Sequence, residues 1–153
     1  VETFPPIDAE AVGDRPQFAR ITAADPNGIA RTRVKFAHWL RDHVQLSNEK
    51  FSDLVLAVNE ALANAAEFAC CSTPDYGTIS CIAVYDDLAE TLNVRVIDGG
   101  GSQQDMAEES RARTGPPIEG LGFRLMRRLA DEVEVNTCEW GTQVRLVWTN
   151  MVQ

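Results

Sequence analysis

No apolar run in this chain reaches the length of a membrane span, and its N-terminus lacks the charged-then-apolar pattern of a secretory signal. The default expectation is therefore a cytoplasmic protein with no membrane role. Cysteine is sparse. Cys70, Cys71, Cys81 and Cys138 include one adjacent pair and no repeated C-x-x-C, so neither a zinc site nor a disulfide scaffold is signalled. Small buried thiols are the simpler reading. Positive charge is also in deficit: the net charge is −9. Nucleic-acid binders concentrate Lys and Arg, so no direct nucleic-acid partner is expected. A basic protein partner remains open, and an anionic ligand requires local Arg, Lys or metal to offset the field. There is no G-x-x-x-x-G-K-[ST] phosphate loop and no internal repeat.

What is present suits one globular domain. At 153 residues the chain is long enough to bury roughly 70% of its unfolded surface. Residues 1–16 hold three prolines and several acids without periodicity and read as an extended tail or linker, leaving 17–150 as the domain. Gln17–Ala23 reads as a short strand. Asp25-Pro26 opens a helix, with Asp25 as cap, Pro26 at the first helical position, and Ile29, Phe36, Trp39 and Leu40 on the apolar face to about Val44. Thr78–Tyr85 and Thr91–Ile97 alternate with period two and read as antiparallel neighbours. A helix opened by Gly120-Leu121-Gly122 carries Leu125, Met126, Leu129 and Ala130. Val133–Cys138 and Thr142–Trp148 are the closing strands. Helices and strands that do not strictly alternate imply an α+β fold: a mixed, mostly antiparallel sheet with helices on one face.

The longest uninterrupted element is Phe51–Cys71, which has no Gly and no Pro and is rich in Ala and Leu. Ser47 or Asn48 is its candidate cap, and Ser52 and Asp53 also lie near its start. Phe51, Val55, Val58, Leu62, Ala65 and Ala69 share one face. The opposite stripe reads Asp53, Leu56, Ala57, Glu60, Asn64, Glu67. Glu60 and Asn64 are one turn apart, so their side chains stand together. A carboxylate and an amide on a partly apolar stripe suit a ligand edge that holds a metal or aims a base. The plainer alternative is a solvated stripe. Asp98-Gly99-Gly100-Gly101 at a strand end lets the backbone approach a ligand closely. Gly120 and Gly122 at a helix start offer free N–H groups to a phosphate, or form only a turn. Residues 103–119 are polar and read as a loop over something, with Arg111 and Arg113 within it.

Four blocks together carry a family resemblance: DLVLAVNEALANAAEF (Asp53–Phe68), VRVIDGGG (Val94–Gly101), EGLGFRLMRRLADEVEV (Glu119–Val135) and GTQVRL (Gly141–Leu146). The sequence resembles the ATP-binding domain shared by gyrase, the heat-shock chaperone, histidine kinases and mismatch-repair ATPases. Within that group it looks most like the RsbW/SpoIIAB-type anti-sigma-factor serine kinases, over Gln17 to Trp148. The resemblance implies ATP and Mg²⁺ as cofactors, with Glu60 as general base and Asn64 as magnesium ligand. It implies that Asp98 accepts from the adenine amino group beside Gly100, that Gly120, Leu121 and Gly122 wrap the phosphates, and that Thr142 borders the adenine pocket. It implies a sigma factor and a STAS-type anti-anti-sigma protein, phosphorylated on Ser, as partners, with Arg31 and Arg33 as candidate contacts, and a homodimer as the common assembly. Two departures stand out. Phe68 occupies a position that is often His, and Ser102 ends a glycine box that commonly ends in Gly. They motivate an alternative, a nucleotide-binding regulatory module with little or no kinase activity. His38 and His43 read as surface or half-buried residues, and no room remains for the dimerising helix pair that a histidine kinase needs.

Overall fold

The computed structural model describes residues 15–72, 77–98, 121–138 and 141–151. The elements run β1 (Gln17–Ala23), α1 (Pro26–His43), α2 (Asn48–Ser72), β2 (Thr78–Asp86), β3 (Thr91–Asp98), α3 (Leu121–Leu129), β4 (Glu132–Cys138) and β5 (Gly141–Trp148). The five strands form one sheet in the order β1-β2-β3-β5-β4, and all four pairings are antiparallel. The α+β expectation therefore holds, with a sheet more uniformly antiparallel than the mixed one anticipated. Residues 1–14 and 103–119 lie outside the described residues, as do Gly100, Ser102 and Gly120. Pro16, assigned to the tail, already accepts a hydrogen bond from the Tyr85 N–H at 3.0 Å, and Arg15 pairs with Asp86 at 3.2 Å.

Local chemistry sets the helix starts. The Asp25 carboxylate accepts from the Gly28 N–H at 2.6 Å, with Pro26 at the start of α1, as the sequence anticipates. For α2 the capping residue is Ser47, whose hydroxyl accepts from the Lys50 N–H at 3.1 Å. The helix thus begins at Asn48, and Ser52 and Asp53 sit inside it rather than at its end. Gly28 lies against the end of β1. A Cβ there would come within 2.6 Å of the Ala23 carbonyl oxygen and would collide with Thr22 Oγ1. Gly28→Ala is therefore expected to lower stability by about 1–3 kcal/mol by forcing β1 and α1 apart. Denaturant unfolding checks this, and an unchanged midpoint would show that the corner relaxes freely.

One face of the sheet holds the core. Ile79, Cys81 and Ala83 of β2, Leu92, Val94 and Val96 of β3, and Val144 and Leu146 of β5 are buried there against Phe36, Leu54, Leu62, Phe123 and Met126 of the helices. Burial pushes the Cys81 thiol up to about 12, which suits an inert core residue. Phe18 packs edge-on to Phe36 at 5.7 Å between ring centroids, and Arg41 lies over the Phe51 ring at 4.6 Å, joining the end of α1 to the start of α2. The Trp148 indole N–H donates to the Leu129 carbonyl at 2.8 Å and fixes the end of α3 to β5. Both His38 and His43 are exposed. No described helix is long and apolar enough to cross a membrane.

The polar stripe assigned to α2 needs one correction. Ala57 is fully buried with Leu54, Val58, Ala61 and Leu62. Because α2 touches α1, α3 and the sheet, its apolar arc is wider than a single stripe. Glu60 and Asn64 sit half-buried at the border of that arc.

Candidate functional site

Three elements converge on the Glu60/Asn64 ridge. The i, i+4 spacing on α2 stacks the two side chains, and the Asn64 amide nitrogen donates to the Glu60 carbonyl at 3.1 Å. That bond engages the amide nitrogen, so Oδ1 is the Asn64 atom that could hold a metal. The start of α3 lies directly on the ridge. A Cβ on Gly122 would stand 2.9 Å from Glu60 Oε2 and 2.9 Å from Asn64 Nδ2, so only glycine leaves both side chains where they are.

From Asn64 a cleft runs to the ends of β3 and β5. It has about 300 Å³ of empty space, counting what is open to solvent, and is lined by Asn64, Ala65, Val96, Asp98, Phe123, Thr142 and Val144. Asp98 ends β3 and is directly opposite Thr142, the second residue of β5. This cross-strand register joins two side chains far apart in the chain. Asp98 is 1% exposed, so its carboxyl is one of the few buried polar groups among the described residues, whereas Thr142 is half-buried. The cleft thus combines the polar side chains Asn64, Asp98 and Thr142 with the apolar walls Ala65, Val96, Phe123 and Val144, the make-up of a small-molecule site.

A model of the histidine kinase-like ATPase domain matches residues 22–148. The chain belongs to the histidine kinase-like ATPase domain family. Among solved structures, the fold is similar to that of the RsbU and RsbW domains of Rv1364c from Mycobacterium tuberculosis, with a TM-score of 0.64 and 20% identity over 88% of this chain. The match covers 32% of that larger chain. No curated protein matches the sequence.

In this histidine kinase-like ATPase domain, the described site residues named from sequence gather around one cleft. Asn64, Asp98 and Thr142 line it, and Glu60 and Gly122 lie against each other beside Asn64. Leu121 is placed by its backbone alone as the first residue of α3, and Phe68 likewise lies in α2. Gly100 and Gly120 lie outside the described residues, as do Arg111 and Arg113. Sequence reading missed the apolar walls. Val96 and Val144 could have been found by period two, since they point the same way as Asp98 and Thr142. Phe123, 1% exposed, belongs with Met126 and Ala130 at helical spacing, and the neighbouring glycine drew attention away from it.

Proposed function

We propose that this chain is an anti-sigma factor with protein serine kinase activity. It binds Mg·ATP in the cleft, sequesters a sigma factor and phosphorylates a STAS-type anti-anti-sigma protein on Ser. The supporting observation is the pairing of a carboxylate-and-amide ridge under Gly122 with a buried acid, Asp98, at the far end of the same cleft.

The residues present fit the implied cofactors. Mg²⁺ prefers oxygen ligands and keeps several waters, so Asn64 Oδ1 suffices as the protein's contribution alongside phosphate oxygens. Among the described residues no group of three or more His, Cys, Asp or Glu forms a metal cage, which is consistent with a metal carried in by the nucleotide. When bound, the ion neutralises charge on the transferring phosphoryl group. Glu60 takes the proton from the attacking serine hydroxyl. Asp98 accepts from the adenine amino group in a setting of low dielectric, where such a bond discriminates strongly. Val96, Val144 and Phe123 enclose the ring. Arg31 and Arg33 are exposed on α1, with Arg33 Nη1 donating to Asn59 Oδ1 at 3.3 Å, and offer cations to an acidic partner surface. The structurally similar protein contains a domain named RsbW, which agrees with this reading.

Thermal unfolding with and without Mg·ATP is the primary test. At a hundredfold excess over Kd, ligand binding adds about 2.7 kcal/mol, seen as a rise of several degrees in Tm. No rise at saturating Mg·ATP would remove nucleotide from the reading. Transfer of labelled γ-phosphate to a STAS protein then separates a kinase from a nucleotide-binding module without turnover.

A further inference from the structure

The two edges of the sheet are finished differently. At one, β4 turns Glu132, Glu134 and Asn136 to solvent, the charged and polar finish that keeps a free edge from pairing with another chain. At the other edge lies β1. The Tyr85 N–H donates to the Pro16 carbonyl at 3.0 Å and the Ala24 N–H to the Gly77 carbonyl at 2.8 Å, so the even-numbered residues between them point their backbone groups at β2. Gln17, Ala19, Ile21 and Ala23 therefore turn their N–H and C=O groups away from the sheet, and no described residue pairs with them. All four are exposed, Ile21 at 74%, and none carries a charge.

The ground beside this open edge is cationic. Helix α1 packs on β1, and its contacts with α2, Arg33 to Asn59 and Arg41 to Phe51, lie on its inward flank. Arg31 and Lys35 stand roughly 160° around the helix from Arg33, so they overhang the free edge, and both are exposed. Arg20 of β1 reaches the same side of the sheet, its Nε donating to Thr32 Oγ1 at 3.2 Å. Among the described residues the ion pairs are Arg15 with Asp86 and Arg145 with Glu134, so no described carboxylate is paired with Arg20, Arg31 or Lys35. The one acid within α1, Asp42, lies about two turns beyond Lys35. An occupant of this edge should therefore bring backbone groups and carboxylates together.

We propose that the β1 edge accepts an extended acidic segment of a partner protein as a sixth strand. Its carboxylates lie on the helix side, facing Arg20, Arg31 and Lys35, and an apolar side chain lies on the outer side against Ile21. Backbone hydrogen bonds to Gln17, Ala19, Ile21 and Ala23 supply affinity, and the cations select the partner. Charge also decides against a second copy of this chain at this edge. Full antiparallel self-pairing of Gln17–Ala23 centres on Arg20 and sets it opposite its own copy. Such a two-fold arrangement also brings the cationic flanks of two α1 helices together. The proposal stands on this edge and its cations, and needs neither nucleotide nor phosphoryl transfer.

The test uses the full chain and a short capped peptide that alternates Glu and Val. At low salt and about 1 mM, the peptide should slow hydrogen exchange at the Gln17, Ala19, Ile21 and Ala23 amides by about tenfold or more, read by NMR. The same peptide with Lys in place of Glu should bind at least about tenfold more weakly, a gap that shrinks at about 0.5 M NaCl. Arg31→Gln with Lys35→Gln should cost about tenfold in affinity for the Glu peptide, while Arg33→Gln, on the inward flank, leaves it unchanged. Ala19→Pro removes only an outward N–H, so the chain should fold and lose the peptide. A peptide N-methylated at the amides that would face β1 makes the same test on the unaltered protein and should not bind. No protection at about 1 mM peptide, equal binding of the Lys peptide, or undiminished binding to Ala19→Pro or by the N-methylated peptide would overturn the proposal. So would a dimer in sedimentation that Ala19→Pro dissociates, because the occupant would then be a second copy.

Discussion

Under the proposed function, Glu60→Gln is expected to lower the rate of phosphoryl transfer to a serine acceptor by about 10²–10⁴-fold and to leave the expected Mg·ATP-induced rise in Tm in place. The substitution keeps the size of the side chain and its place beside Gly122, and removes only the ability to accept a proton. Glu60 sits half-buried at the border of the apolar arc of α2, so the amide costs the core nothing and stability without nucleotide should hold. The expected signature is a fall in kcat with little change in KM for ATP. Transfer at the native rate would remove Glu60 from its role as base. Loss of both transfer and nucleotide-dependent stabilisation would make it a binding residue instead.

Gly122→Ala is expected to separate folding from function in the other direction. The added methyl meets Glu60 Oε2 and Asn64 Nδ2, each at 2.9 Å. Both are the far ends of flexible side chains and can swing aside cheaply. Alanine also favours the helix by about 0.5–1 kcal/mol over glycine, so stability without ligand should hold or rise slightly. The same swing displaces the two atoms assigned to metal and proton. A misplacement on the order of 1 Å can cost about a hundredfold in rate, and the loss of the Asn64 contact weakens Mg·ATP binding besides. Thermal unfolding with and without nucleotide, together with a phosphotransfer assay, reads both effects. Retained transfer with an intact fold would show that α3 does not press on the ridge during turnover.

Much of this was legible along the chain because the relevant signals are local. Period-two alternation marked β2 and β3, Asp25-Pro26 marked the start of α1, and the four-residue step from Glu60 to Asn64 gave their common direction. The misses were non-local. Ala57 looks like part of a polar stripe until three neighbours are packed around α2. The cap of that helix is no miss: Ser47 is one of two adjacent candidates, and its hydroxyl accepting from Lys50 decides between them. Most of all, no residue of β5 announces that it pairs with β3 as well as β4. That single pairing brings Thr142 opposite Asp98 and so builds the far end of the cleft.

The position of β5 between β3 and β4 has a consequence for synthesis. A chain emerging from the ribosome can complete β1, β2 and β3 early, but its middle strand then waits with an open flank for β5, which is made only after the intervening α3 and β4. β4, translated just before it, has no partner until it arrives. Nucleotide should therefore stabilise only chains extended past Trp148, and nascent or truncated ones should expose an adhesive strand edge of the kind that chaperones recognise.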